Sequence, residues 1–286
     1  MKRMRQLAPN VYVTSTSTGV NVGAILTSDG LVHVDAPMIP AEARDWKQRT
    51  AALLEDPPLF LINTDYHGGH AVGNPILGGT IVAHETMWKH LTGMSDSYRQ
   101  KILDKWHKDH PSEFAEIKAL AFSRPELTFQ SRMTLYCGDT TLQLIHVGGH
   151  TPATAMVYLP DSRILFTGDI LVLDRYPYLG DANTKEWLDA LTLIRRMDPA
   201  VIVPGHGAPC DAKATEPLST YIRAIRSGVR QFFKSGKSKS ETVNKLRKQD
   251  WVMYPGADKA GLEALIKTNI SRVYDEMKVE ARSREE

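Results

Sequence analysis

Five residues stand out because their side chains bind metals and their surroundings repeat. His67 and His70 lie in Asp65-Tyr66-His67-Gly68-Gly69-His70, His150 follows Gly148-Gly149, Asp169 follows Gly168, and His206 sits between Gly205 and Gly207. Each follows an apolar run that reads as a strand, and each has glycine beside it. Glycine lets the chain turn tightly, so imidazoles from separate loops can converge on one small volume. Neutral imidazole with carboxylate is a donor set that suits zinc and related first-row metals. A single His or Asp beside Gly is an ordinary turn residue. The whole set, in order and always after a strand, points instead to a metal centre. The remaining histidines, His33, His84, His90, His107, His110 and His146, lack this setting and read as core or surface residues. His84 and His146 lie nearest the loops and are candidates to back the ligands. No Ser or Cys occurs in a G-x-S-x-G setting, so no side-chain nucleophile is expected.

The elements that must carry these residues come in two similar series. Val11–Thr14, Val22–Leu26 and Leu31–Val34 read as strands, with Ser28-Asp29-Gly30 as a hairpin turn. A helix over about 41–55 starts near Pro40 and shows Trp46, Ala51, Leu53 and Leu54 on one side. The strand Leu59–Asn63 then runs into the Asp65–His70 loop. In the second half, Thr154–Leu159 and Arg163–Phe166 flank Pro160-Asp161-Ser162 and end in Thr167-Gly168-Asp169. Asn183 and Glu186 have the spacing of a capping box before an apolar stripe of Trp187, Leu188, Leu191, Ile194 and Met197. The strand Val201–Val203 runs into the His206 loop, and a further strand, Leu142–His146, precedes His150. Each half therefore reads hairpin, Asp, helix, strand, His-bearing loop, with Asp35 corresponding to Asp169. Such a duplication predicts two similar αβ layers packed face to face.

Two regions fall outside the repeat. Residues 85–126 read as a helical insert containing Met87, Trp88, Trp106 and Phe114. Residues 213–286 read as a helical C-terminal extension after a domain spanning 1–212. Its stripes, Leu218/Ile222/Ile225/Val229/Phe232 and Leu262/Leu265/Ile266/Ile270/Val273/Met277, need a partner surface. The rest of the domain, or a second copy in a homodimer, could supply it. Residues 234–239 read as a polar, basic connection.

With 286 residues, 42% of them hydrophobic, the chain can bury a sizeable core. A net charge of +2 gives no general reason to expect nucleic acid or an anionic membrane as partner. The basic run Arg223, Arg226, Arg230, Lys234, Lys237 and Lys239 reads first as a solvated helix face. No apolar run is long enough for a transmembrane helix, and no apolar stretch follows the basic Met-Lys-Arg-Met-Arg-Gln start, so a cytoplasmic protein is expected. Cys137 and Cys210 do not cluster, which leaves free thiols as the expected state.

The segment Asn63-Thr64-Asp65-Tyr66-His67-Gly68-Gly69-His70-Ala71-Val72-Gly73-Asn74 resembles the signature of the metallo-β-lactamase superfamily, whose core reads His-x-His-x-Asp-His. Gly149-His150-Thr151-Pro152, Phe166-Thr167-Gly168-Asp169 and Pro204-Gly205-His206-Gly207 resemble its later motifs. The resemblance runs from about residue 10 to 212. It implies an α+β fold, an αββα sandwich with the metal site at one edge between two sheets. It also implies that His67 and His150 serve one metal, that His70 and His206 serve another, and that Asp169 bridges them. The first motif departs from the pattern at Asp65, where His is usual, and at Gly69, where Asp is usual. The two changes conserve the number of carboxylates. Asp65 could then complete a set with His67 and His150, or orient the attacking water.

The family resemblance implies a metal-dependent hydrolase in which metal-bound water cleaves an ester, thioester, lactone or β-lactam bond of a small molecule. Zinc is the expected metal, as one or two ions, with manganese or iron as alternatives. The substrate is expected between the 85–126 helices and the loop Arg175-Tyr176-Pro177-Tyr178, where Tyr176 and Tyr178 could contact it. The alternatives within the family are a phosphodiesterase or RNA-processing enzyme, and a non-catalytic member that binds a metal or ligand.

Overall fold

The computed structural model describes residues 1–54, 56–249, 251 and 261–283. Glu55, at the end of the expected helix over 41–55, and residues 250, 252–260 and 284–286 of the expected extension lie outside the described residues.

Two sheets form the centre. The first runs in sequence order: β1 (Arg5–Ala8), β2 (Val11–Ser15), β3 (Asn21–Thr27), β4 (Gly30–Val34), β5 (Pro58–Ile62), β6 (Thr80–His84) and β7 (Leu127–Phe129). It is antiparallel from β1 to β4 and parallel from β4 to β7. The second contains β8 (Arg132–Cys137), β9 (Thr140–His146), β10 (Ala155–Leu159), β11 (Ile164–Phe166) and β12 (Val201–Val203). Only β11–β12 is parallel there. Val13, Ile25, Val32, Val34 and Ile62 from one sheet meet Leu142, Leu144, Val157, Phe166 and Val203 from the other in a continuous core. Gly23 permits the close approach: a Cβ there would lie 2.5 Å from the Phe166 ring.

Helices close both outer faces. The chain orders them as α1 (Pro40–Ala51), α2 (Gly68–Ala71), α3 (Asn74–Leu77), α4 (Glu85–Gly93), α5 (Asp96–Asp109), α6 (Phe114–Leu120), α7 (Thr184–Met197), α8 (Thr215–Lys234), α9 (Lys239–Leu246) and α10 (Leu262–Arg282). Trp46 of α1 packs with Val22, Ala24, Leu31 and Leu61 on the first sheet. Helices α7, α8 and α10 pack with Met156, Leu165 and Ile202 of the second. The layers are therefore α, β, β, α, as the motifs imply. The repeat is visible in the fold. β3–β4–α1–β5 and β10–β11–α7–β12 are each an antiparallel hairpin, a helix and a strand returning parallel to the hairpin's second strand.

Details differ from the sequence reading in three places. Asn183 does cap α7, accepting from the amides of Lys185 and Glu186, but the reciprocal half of the capping box is replaced. The Asn183 amide donates to Gly149 O at 2.8 Å, and the Glu186 carboxylate accepts from the Gly149 amide at 3.4 Å. Thus the start of α7 is stitched to the loop that carries His150. Secondly, the basic connection leads directly into α9, which has a full capping box between Ser238 and Glu241. Thirdly, Arg226, read as part of an exposed basic face, is buried and ion-paired to Glu276 and Glu280. The stripes of α8 and α10 pack within this chain, in one core with α7, which is one of the two partner surfaces expected for them. Glu276 also accepts from the amide and hydroxyl of Thr184, the first residue of α7. Among the described residues no helix is long and apolar enough to cross a membrane.

Candidate metal centre

Five strand ends deliver the site to one edge between the sheets. After β5, Asn63 donates to His70 O at 2.9 Å and exchanges hydrogen bonds with Asn74, which pins both ends of the loop bearing His67 and His70. After β4, Asp35 takes the positive φ of 60° and accepts from the Thr64 amide and hydroxyl at 2.8 and 2.7 Å. After β9, Gly148 and Gly149 both adopt positive φ and turn His150 inward. After β11, Gly168 has φ 51°, and a Cβ there would lie 2.6 Å from Thr64 Oγ1, so only glycine lets Asp169 approach the first loop. After β12, the His206 backbone bridges to Val20 and Val172, while Asn21 donates to Pro204 O and Gly207 O.

The structure brings Asp65, His67, His70, His150, Asp169 and His206 together. Ligand atoms of Asp65, His67 and His150 lie within 4.8 Å of one another, and so do those of His70, Asp169 and His206. His67 Nδ1 is 3.1 Å from His150 Nε2, and Asp65 Oδ2 is 3.7 Å from His150 Nε2. One Asp169 oxygen is 3.5 Å from both His70 Nε2 and His150 Nε2, and the other is 3.5 Å from His206 Nε2. Asp169 thereby touches both groups. Donors about 2 Å from a tetrahedral ion stand about 3.3 Å apart, so these separations fit zinc-sized coordination. Asp169 Oδ1 is also buried without a hydrogen-bond donor. A buried carboxylate oxygen left so is costly unless a cation faces it.

Asp65 has two occupations. Its Oδ1 accepts from the amides of Tyr66 and His67 at 2.6 and 3.2 Å and from Thr151 Oγ1 at 3.3 Å. Its Oδ2 accepts from Thr154 Oγ1 at 3.1 Å and is the oxygen nearest His150. It folds the loop and also places negative charge against the imidazoles.

Two residues that the sequence reading did not assign to the site support the ligands. His70 Nδ1 bonds Asp35 at 2.9 Å, and His67 Nε2 bonds Asp181 at 3.1 Å. Each carboxylate fixes an imidazole so that the opposite nitrogen faces the site. Loss of such a partner elsewhere costs about 10–100-fold in metal affinity or activity. Asp181→Asn is therefore expected to weaken zinc affinity by about 10–100-fold with the fold intact. Zinc titration against a competing chelator checks this, and an unchanged dissociation constant would remove Asp181 from the site.

The electrostatics follow from burial and the carboxylates. Burial opposes charge on His70, but Asp35 and Asp169 outweigh it and hold its pKa well above the ordinary 6.5. Burial likewise opposes charge on His67, but Asp65 and Asp181 raise its pKa. For His150 burial dominates and the pKa is lowered. Burial alone would raise Asp169, yet His206 and His70 hold it well below the usual carboxylate range. Metal ligation needs Asp169 ionised and a bare Nε2 on His70. In the metal-free protein, His70 keeps its proton above 6.5, so a metal must displace it. Zinc uptake is expected to release protons above pH 6.5, with affinity rising as pH rises through the raised His70 value. Calorimetry in buffers of different ionisation enthalpy reads this directly; uptake without proton release above that pH would contradict it.

The tyrosines divide. Tyr178 lies at the site, its ring centroid 6.1 Å from that of His67. Tyr176 lines the same small cavity of about 150 Å³ with Arg175, His150 and His206, but its hydroxyl is already donated to Trp251 O at 2.6 Å. His84 and His146 stack on each other, ring centroids 3.6 Å apart. His146 reaches the His150 loop through Pro152 O, 3.0 Å from its Nε2.

Residues 17–206 match the family model of the metallo-β-lactamase superfamily, and the chain belongs to that family. It is similar to the linear primary-alkylsulfatase of Pseudomonas sp. (strain ATCC 19151), 25% identical over 120 residues, which is 39% of this chain and 22% of that protein. It is also similar to a β-lactamase-like protein 2 homolog of Caenorhabditis elegans, 29% identical over 104 residues, covering 36% of this chain and 34% of the relative. The chain thus spans about a fifth to a third of the curated relatives it matches. Among solved structures, a metallo-β-lactamase family protein from Thermus thermophilus superposes with a TM-score of 0.69 at 18% identity, covering 96% of this chain and 95% of that one.

Proposed function

We propose that this chain is a hydrolase that cleaves an ester, thioester, lactone or β-lactam bond of a small molecule. In this reading Asp65, His67 and His150 would hold one metal ion and His70 and His206 a second, with Asp169 placed to serve both. The observation that carries it is the pair of three-residue ligand groups, each within 4.8 Å, sharing one edge of the sandwich. Their nitrogen and oxygen donors favour zinc, with manganese or iron as substitutes. When bound, such an ion supplies Lewis acidity and makes water a competent nucleophile near neutral pH.

The protein's own residues do the rest. Asp35 and Asp181 lock the imidazoles of His70 and His67. Trp187 lies edge-on to His150, ring centroids 5.1 Å apart, and keeps water from that side. Asp65 and Asp169 keep two negative charges at the centre, which replaces the carboxylate that Gly69 lacks. Tyr178 stands where a substrate oxygen would enter beside His67. The unpaired thiols of Cys137 and Cys210 are what a reducing compartment maintains, and the proposal places the enzyme in the cytoplasm.

Metal analysis of purified protein, followed by assay on esters, thioesters, lactones, β-lactams and phosphodiesters, tests the reading. The expected result is one or two equivalents of metal and turnover of a member of the first four classes. Stoichiometric metal with turnover of phosphodiesters alone would overturn the bond assignment. Protein that takes up no metal would overturn the mechanism.

A further inference from the structure

The helical insert builds a second cavity against the candidate metal centre. It has a volume of about 320 Å³ and reaches His67, Gly68 and Gly69 on one side and the α4–α5 helices on the other. Tyr66, His90, Tyr98, Trp106, Phe122 and Tyr178 line it, and Leu91, Met94 and Ile102 complete its apolar surface. The rings are organised in pairs. Tyr66 stacks on His90 at 4.1 Å between centroids and 9° between planes, and Trp106 stacks on Phe122 at 5.5 Å and 20°. Tyr98 stands edge-on to His90.

Contact with the metal-site loop is direct. A Cβ on Gly68 would lie 2.5 Å from the Trp106 indole, so the glycine between His67 and His70 is what allows this ring to rest on the loop. The polar groups around the cavity sit mostly on its rings, as the hydroxyls of Tyr66, Tyr98 and Tyr178 and the imidazoles of His67 and His90. Asp181 is committed to His67, and Lys105 lies on the exposed outer part of α5. Tyr178 lines both this cavity and the smaller one of about 150 Å³ beside His150 and His206. A molecule spanning the two would pass its reacting bond between Tyr178, His67 and His150.

We infer that the larger cavity binds a compact aromatic group carried by the substrate, so that the enzyme acts on aryl-bearing substrates in preference to small or long linear ones. This rests on the hydrolase reading for the reaction, but not for the binding. Size and chemistry both favour it. A cavity at the lower end of the ligand-binding range, about 300 Å³, takes one or two fused rings and leaves no room for an extended chain. Stacked and edge-on rings attract another ring beyond the area it buries, by about two- to tenfold in affinity. The unequal cavities assign the bulky part of the substrate to the insert side and the small part to the side of His150 and His206.

The test uses the full-length, metal-loaded protein and two readouts. Binding of 2-naphthylmethanol, which offers no bond to hydrolyse, is measured by calorimetry. kcat/KM is measured for 2-naphthylmethyl, ethyl and dodecyl acetates. Naphthylmethanol is expected to bind, and the naphthylmethyl ester to be preferred at least about tenfold over the other two. Ile102→Trp, which fills the cavity, and Tyr98→Ala, which opens its rim, should each reduce naphthyl binding at least about fivefold and lower the preference for the naphthylmethyl over the ethyl ester by a similar factor. Tyr98 is 40% exposed and Ile102 is half-buried, and circular dichroism with metal content checks that each variant folds and keeps its site. If naphthylmethanol binds and Ile102→Trp abolishes it while no acetate is cleaved, the cavity assignment stands and the ester reading fails. Absence of naphthylmethanol binding, or binding that Ile102→Trp leaves unchanged, overturns the inference whatever the activity.

Discussion

Asp169→Ala is expected to purify as folded protein with little bound metal and with kcat/KM lowered by more than about 100-fold. Removal of an outer partner of a ligand already costs about 10–100-fold. Asp169 stands closer to the centre than such a partner, with one oxygen 3.5 Å from His70 and His150 and the other 3.5 Å from His206. Without it one group loses its carboxylate and the other its nearest contact with that group, and the imidazoles of His70, His150 and His206 face one another without the charge between them. Asp169→Asn separates charge from shape, since it fits the space against Gly168 and Gly205 but carries no charge. It is expected to lose metal nearly as fully as the alanine variant. Metal content by elemental analysis, with circular dichroism as the check on folding, decides the matter. Full stoichiometry with a rate within about threefold of the parent would show that Asp169 does not ligate.

The second large effect concerns the unusual first motif. Asp65→Ala is expected to lower both metal content and turnover strongly, because it removes one of two central carboxylates and the acceptor of four loop hydrogen bonds. Asp65→His restores the usual ligand type but leaves the Thr151 and Thr154 hydroxyls and two amides without their acceptor, at about 1 kcal/mol per net bond. It should therefore bind metal better than the alanine variant yet remain less stable than the parent. Gly69→Asp requires one neighbour to give: a Cβ there lies 3.0 Å from Cγ2 of the buried Val20, so that side chain must shift by a few tenths of an ångström. The double change Asp65→His with Gly69→Asp is expected to recover metal binding beyond either single change. Coupling of this kind arises between residues that share one site. Normal occupancy and normal rate in Asp65→Ala would leave Asp65 only its loop hydrogen bonds.

Much of this architecture was legible because local pattern and global fold agree. The Asp29-Gly30 turn, the Trp187–Ile194 stripe and the duplicated order of hairpin, helix and strand each mark an element by its own period. The ligand-type residues stood out because the chain puts each at a strand end beside glycine. The supports were not legible for a physical reason. Asp181 reaches His67 across 114 positions, and Thr151 and Thr154 reach Asp65 across 86 and 89. Nothing in the local composition of a loop says which distant side chain it will face. Asp35 was a partial exception: the repeat paired it with Asp169, but not its contact with His70. The strand β7 was missed because three residues carry no period, and α9 was hidden in a run that reads as polar linker although Ser238 and Glu241 had capping spacing.

The Glu276 contact with the first turn of α7 makes the family boundary and the folding boundary two different lines. The family match stops at residue 206, whereas the core beneath α7 continues to Met277. From Glu276 the connection runs through Thr184 and Asn183 to Gly149, the residue before His150. A protein shortened to the matched segment would keep every candidate metal-binding residue and lose what braces one of them. It would also bare to water Leu165, Leu191, Ile194 and Ile202, which share one core with α8 and α10. The last helix, far along the chain from the motifs, is thus part of the foundation on which His150 stands.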